Sequence, residues 1–154
     1  MFYSVSQSRS QANKAAELAK VANQGLIEQY DILAEQQRQV RDEERNTIEQ
    51  RIEANNKLRE TLEEQGRVMT ENANLVLKAA QLAYDKNATD ENAIALQEAK
   101  NELLAVEATV TGFLSEQKVN DLALEKERQD LAQSNIDAET ERYLAQQQFI
   151  FCFL

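Results

Sequence analysis

The sequence predicts an all-α protein, built as a long antiparallel helical hairpin that resembles a coiled coil and turns near residues 86–90. Three observations support this class. The 154 residues include three glycines and no proline, although turns depend on both residue types for their special backbone angles. Strong helix formers, namely alanine and the long polar side chains, dominate the composition. Apolar residues recur in both halves of the chain at the seven-residue spacing of helices that pack side by side.

The turn is the clearest break in the helical pattern. Asn87 stands where a helix can end on a residue in the left-handed conformation, and Thr89 follows as a candidate N-cap for the next helix. Asp90 then lies in a first helical turn, where the helix dipole favours an acidic side chain. Asn87 to Thr89 also match a glycosylation sequon, but a turn rich in capping residues is the simpler interpretation. We therefore predict a first arm over residues 13–86 and a second arm over residues 90–148.

The second arm carries the sharper apolar pattern. One column repeats every seven residues from Leu96, and another column lies three residues farther along. The first arm has a matching stripe that is loosened by Gln65 and Asn72. We expect the helix seam to be packed by the following residues: Leu58, Leu62, Met69, Val76, Leu96, Leu103, Val106, Val110, Phe113, Leu124 and Leu131.

Folding the chain at the turn places apolar residues of the two arms opposite each other. Gly66 then faces Val110, and near the far end Val40 meets Ile136. The apolar stripe is densest beside the turn and thins with distance on both arms. We therefore expect the stability of the hairpin to be concentrated near the turn.

Two features leave alternatives open. The run of residues 109–112 lowers helix propensity, so the second arm either stays helical or kinks there, and a break near Gly112 would give three helices. The polar seam positions Asn55, Gln65, Asn72 and Asn120 are candidates for fixing the register, as buried amides do in coiled coils. Solvent exposure at the edge of a wide seam is the alternative for these four side chains.

The two ends of the chain differ from the hairpin. Residues 1–12 are rich in Ser and Gln, and we expect them to be frayed. Residues 149–154 form an apolar tail, which is interpretable as a docking plug, as part of a longer apolar segment or as an artefact of the end of the reading frame. The single cysteine, Cys152, has no internal disulfide partner and no base beside it, so we expect an inert thiol.

Charge and composition exclude several classes of function. The net charge is −10, and the basic residues are interleaved with acids, so nucleic acid is not an expected partner. No stretch reaches the roughly 20 apolar residues of a membrane span. Without histidine there is no Ser-His or Cys-His pair, and the three glycines are too scattered for a phosphate loop. We therefore expect no enzyme activity, no cofactor and no metal site.

Five stretches of the chain, taken in order, resemble a known family. They are residues 26–31, 35–42, 48–58, 96–103 and 112–117. Their order is similar to a helical section of the tail tape measure proteins of long-tailed phages and prophages, notably those of Bacteroidetes hosts. The similarity covers residues 25 to 145, although family members are usually far longer than this chain.

The resemblance implies a structural role. In that family, extended helical protein fills the tail tube during assembly, sets the length of the tail and is expelled ahead of the DNA. It implies a location in the cytoplasm during assembly and then in the virion tail, with tail tube or other tail proteins as partners. No catalytic or binding residues carry over from the family.

The physical properties of a two-helix stem suggest a partner independently of the resemblance. Such a stem buries only one narrow face, so we expect self-association through it. The alternative function is a generic coiled-coil scaffold or adaptor that docks onto another protein. A hairpin that binds a membrane through the Phe-rich tail is a third interpretation, which the acidic stem disfavours.

Overall fold

The computed structural model describes the backbone of residues 2–153 and the side chains of residues 14–153. Within this part the chain forms three long helices and no strand. They are α1 (Phe2–Asp42), α2 (Ile48–Lys86) and α3 (Asp90–Cys152). Helix α2 lies in the middle and packs antiparallel against both α1 and α3. The predicted all-α class is confirmed, and α2 and α3 form the predicted helical hairpin.

The turn between α2 and α3 lies where the sequence predicts it. Thr89 is the N-cap of α3, and its side-chain oxygen accepts a hydrogen bond from the backbone N–H of Asn92 at 3.2 Å. The left-handed conformation predicted for Asn87 is wrong, because this residue is extended, with φ −151° and ψ 100°. The side chain of Asn92 instead donates to the Asn87 carbonyl at 2.7 Å, which holds the turn without a left-handed residue.

The first arm is not continuous, so the prediction of a single arm over residues 13–86 is wrong. Residues 43–47 reverse the chain between α1 and α2. Thr47 and Gln50 form a reciprocal capping box, in which each side chain accepts a hydrogen bond from the backbone N–H of the other residue. Asn46 donates to the carbonyl of Val40 at 2.9 Å and so satisfies one of the free carbonyls at the end of α1.

This second reversal changes the predicted pairing of the far end. Because α1 folds back along α2, Val40 does not reach Ile136 on α3. The core forms instead where Ala34 of α1 meets Leu58 and Leu62 of α2.

The hairpin register near the middle of the seam agrees with the sequence. A Cβ atom on Gly66 would lie 3.0 Å from Cγ2 of Val110, so these two residues face each other at close approach. Farther along, Phe113 packs against the cluster of Leu58 and Leu62.

Helix α3 runs for 63 residues and passes Gly112 without a break. The alternative of a turn at Gly112 is therefore wrong, and the third helix arises from the reversal at residues 43–47. The helix also extends through Cys152, four residues beyond the predicted boundary at 148, since no glycine or proline interrupts it.

The predicted frayed segment, residues 1–12, is only partly described. Its residues 2–12 continue the backbone of helix α1, which begins at Phe2 and meets no glycine before Gly25. Met1 and the side chains of residues 2–12 lie outside the described part.

The predicted seam residues divide into three groups by burial. Leu58, Leu62, Leu96 and Leu124 are buried. Met69, Val76, Leu103, Val106, Val110 and Phe113 are half-buried. Leu131 is 47% exposed, and its prediction as a seam residue is wrong because α2 begins at Ile48 and leaves no helix opposite it.

Candidate protein interaction site

The last third of α3 projects beyond the other two helices. Leu124 is the last residue of α3 that is buried, and Glu127 makes the last described ion pair to α2, with Arg51 at 2.7 Å. We call residues 129–153 the projecting segment and residues 14–128 the three-helix body. At 1.5 Å per residue the projecting segment is about 36 Å long.

The projecting segment exposes large apolar side chains along its whole length. These residues are Leu131, Ile136, Tyr143, Leu144, Phe149, Ile150, Phe151 and Phe153. Its last turn, residues 149–153, is apolar on every side, and we call it the apolar end. A helix that is apolar all round is normally buried in protein or lipid. The apolar end is therefore a candidate surface for binding a partner.

A groove between α2 and α3 is the second unpartnered apolar surface. Its volume is 520 Å³, and every lining residue belongs to one of these two helices. The wall and floor are formed by Leu62, Gly66, Val110, Phe113, Leu114 and Gln117. The rim carries two arginines and two glutamates, Arg59, Glu63, Arg67 and Glu71, so its charges balance.

Gln117 at the floor of this α2–α3 groove is a buried amide without a partner. It is 5% exposed, and neither atom of its amide group has a hydrogen-bond partner among the described residues. An unsatisfied buried polar group costs about 1–3 kcal/mol. The floor of the groove therefore contains an unsatisfied amide that lowers the stability of the α2–α3 packing at this level.

Charged side chains link α3 to the other two helices over its residues 116–127, which we call the base of the projecting segment. Arg38 on α1 holds Glu116 on α3 by two hydrogen bonds of 2.9 Å, and Arg41 adds a third at 3.1 Å. The hydrogen bond from Arg38 is the main reason that the pKa of Glu116 is lowered. Asp42 pairs with Arg41 at 2.7 Å, which is the main cause of the raised pKa of Arg41. These contacts join α1 to α3 directly.

A second group of polar contacts ties α2 to α3. Arg59 donates to Asp121 at 2.6 Å, and the buried side chain of Asn55 donates to the same carboxylate at 2.7 Å. Arg51, already paired with Glu127, also donates to the carbonyl of Arg41 at 2.6 Å. The direction of the projecting segment is thus set by contacts from both other helices.

The predicted polar seam positions are mostly buried rather than exposed. Asn55, Gln65 and Asn72 are all buried. The amide of Gln65 donates to Asp31 of α1 at 2.6 Å, so this side chain fixes the pairing of α1 with α2. Asn120 is half-buried and donates to the carbonyl of Glu116 in its own helix, which gives it no role between helices.

The interhelical ion pairs were missed at the level of sequence. Interleaved acids and bases are typical of a solvated helix face, and the partners on α1 become identifiable only when the turn at residues 43–47 is known. One signal for that turn is present, since Thr47 followed three residues later by Gln50 is the capping-box pattern.

A metal site, a membrane span and a free thiol are three further features that could carry a function. Among the side chains that the structure describes within residues 2–153, no cluster of three or more acidic, cysteine or histidine side chains is placed to hold a metal ion. No helix in that range has the length and apolar character needed to cross a membrane. The thiol of Cys152 is free and exposed on the apolar end.

Comparison with known proteins yields no relative for this chain. No protein-family model, curated protein or solved structure matches it. Its function is therefore inferred from its own surfaces.

Proposed function

We propose that this chain is a structural interaction protein, a scaffold or adaptor without catalytic activity. The three-helix body holds the projecting segment in a fixed direction, and the projecting segment binds another protein. The observation that carries this proposal is the run of exposed apolar side chains on residues 129–153, where α3 has no neighbouring helix.

Physical chemistry supports a partner for the projecting segment. A single helix of this length gains little stability in water from its own hydrogen bonds. Burying one large apolar side chain contributes about 1.5–3 kcal/mol, so covering several of them would stabilise both the helix and the complex. The ion pairs of Glu116 and Asp121 hold the base of the segment, which lowers the entropy lost on binding.

Site-specific photo-crosslinking in cells that naturally contain the protein tests this function. A photoreactive residue is placed at Tyr143 on the projecting segment, and a matched control is placed at Leu104, which is similarly exposed on the same helix within the three-helix body. We expect position 143 to crosslink to one defined protein far more strongly than position 104.

The identity of the crosslinked protein separates the possible outcomes. A product from position 143 that contains a different protein or a second copy supports the interaction role. Equal labelling from positions 143 and 104, or no product from either, would contradict it.

A second candidate function is a section of a phage tail tape measure. The uninterrupted 63-residue helix α3, which spans about 95 Å, favours a length-setting role, as does the resemblance of residues 25–145 to that family. The partners would then be tail tube and other tail proteins, with assembly in the cytoplasm and a final location in the virion tail. The two chain reversals shorten the reach of the molecule, which is why the scaffold role is placed first.

Deletion of two heptads tests the tape measure function. Removing residues 132–145 keeps the same helix face in register and shortens α3 by about 21 Å. Phage tails measured by electron microscopy should become shorter by that amount. Tails of unchanged length would contradict a length-setting role for this segment.

A further inference from the structure

We propose that the α2–α3 groove binds the apolar end of a second copy of this chain, so that two copies form a closed antiparallel dimer. This inference rests on the proposed function, because it names the partner of the same projecting segment. Both surfaces are apolar and both are open in the single chain. The apolar end belongs to α3, and α3 also forms one wall of the groove.

The apolar end cannot reach the groove of its own chain. Phe153 lies about 36 residues beyond Gln117 on one continuous helix, which separates them by roughly 54 Å. A helix without a break cannot fold back over that distance. An apolar end bound in the groove therefore comes from another molecule.

The chemistry of the apolar end matches the groove. Its aromatic side chains fit walls formed by residues such as Leu62 and Val110. Residues 143–153 contain no charged side chain, so the segment brings no unpaired charge to the balanced rim.

Two-fold symmetry closes the pair of molecules. When the apolar end of one copy lies at the level of Leu114 in the other, the same contact forms a second time by symmetry. The overlapping α3 helices then run antiparallel. Asp137 and Glu139 of one copy come to the level of Arg128 and Lys126 of the other, and Glu125 and Glu127 lie at the same level. The apolar contact rather than charge therefore sets this register.

Three matched substitutions on α3 test the dimer. Phe149→Asp alters the apolar end, Leu114→Asp alters the groove, and Leu104→Asp is a control outside both surfaces. The three side chains are similarly exposed, at 67%, 60% and 62%, so the substitutions should leave the fold intact, which circular dichroism checks. Sedimentation equilibrium should show a dimer for the unchanged chain and for Leu104→Asp. Each of the other two variants should weaken the dimer at least about tenfold.

Disulfide trapping tests the contact itself. With copper phenanthroline and dissolved oxygen added as the oxidant, the thiol of the native Cys152 of one copy should form a disulfide with a cysteine introduced by Glu63→Cys at the groove rim of the other copy. Glu53→Cys, an exposed position outside the groove, is the control and should yield no covalent dimer. A covalent dimer from Glu63→Cys alone supports the proposed docking.

Several results would overturn the inference. These are a monomer at tens of micromolar, a dimer that Leu114→Asp leaves unchanged, and equal trapping by Glu53→Cys. If the chain is a monomer but position 143 crosslinks to a different protein, the dimer is wrong while the proposed interaction function stands. If no crosslink forms from position 143 either, both are wrong.

Discussion

The three-helix body and the projecting segment share one helix and one sequence repeat, yet the repeat is buried in the body and largely exposed in the projecting segment. In the body, the seven-residue column of α3 is covered at Leu96 and Leu124. In the projecting segment the same column continues through Leu131 and Ala145, which are exposed, and through Ala138, which is half-buried. The column loses its cover where α2 begins, at Ile48. Burial thus follows from the helix that lies opposite, and the repeat alone does not determine it.

This difference implies that the two regions are stabilised in different ways. The body holds itself together through its core and its ion pairs, so its stability is internal. The projecting segment has apolar side chains that no other helix of the described part covers, so we expect its full stabilisation to depend on another molecule. Changes in the body should therefore alter unfolding, and changes in the projecting segment should alter association.

Core truncation should give the largest effect on unfolding. Leu58 of α2 is fully buried in the cluster that includes Ala34 of α1. Leu58→Ala should therefore lower the free energy of unfolding by about 3 kcal/mol. Leu131→Ala, made on an exposed position, should change it by less than about 0.5 kcal/mol in the monomer. Urea denaturation of the two variants measures both values. Equal losses would show that the projecting segment has a core of its own.

Removal of the charged contacts at the base should give an intermediate effect. Glu116→Ala deletes the partner of Arg38 and Arg41, and we expect a loss of about 1–2 kcal/mol, because Arg41 is buried. Glu125→Ala is the control, since its pair with Arg128 is exposed and should contribute little to the free energy of unfolding. If the two variants lose the same free energy of unfolding, the base contacts do not fix the helices.

The same group predicts a dependence on pH. The folded pKa of Glu116 is lowered from its ordinary value of 4.5, so its contribution to stability is fully present above that value. The contribution is lost as the pH falls through the lowered pKa. Urea midpoints measured from neutral to acidic pH should therefore fall less steeply for Glu116→Gln than for the unchanged chain. Parallel curves would contradict a stabilising role for this carboxylate.

Glycine substitutions should give the smallest effects and report on helix packing. Gly112 has open space around it, so Gly112→Ala should stabilise the protein by up to about 1 kcal/mol through helix propensity. In Gly66→Ala the added methyl group would lie 3.0 Å from Val110. This close contact should offset or reverse the gain in stability from helix propensity. Thermal unfolding of the two variants compares them. Equal stabilisation would mean that α2 and α3 are farther apart at this level.

Part of this fold was predictable because its signals are local. The N-cap at Thr89 is a pattern within a short stretch, and its prediction is confirmed. The seven-residue column of α3 is also a local pattern, and its positions are covered from Leu96 to Leu124 but not at Leu131. The turn at residues 43–47 was missed because it contains no glycine or proline. It is held instead by the capping box of Thr47 and Gln50 and by Asn46.

The candidate site was harder to predict because it depends on where helices end. The exposure of Leu131 follows from the start of α2 at Ile48, whereas the sequence pattern predicted one continuous first arm from residue 13 that would have covered it. The ion pair of Arg38 with Glu116 joins residues far apart in sequence, and it forms only when α1 folds back. The apolar character of residues 149–153 was visible from the start, whereas the groove that can receive them requires the packed hairpin.

Hydrogen exchange along α3, followed by mass spectrometry at several protein concentrations, tests most directly whether the projecting segment depends on a partner. We predict that amides of residues 96–124 exchange slowly at every concentration, because α2 covers this part of the helix. Amides of residues 129–153 should exchange fast in dilute protein and become protected as concentration rises, except in the Leu114→Asp variant. Slow exchange of residues 129–153 in dilute protein, equal to that of residues 96–124, would contradict this dependence.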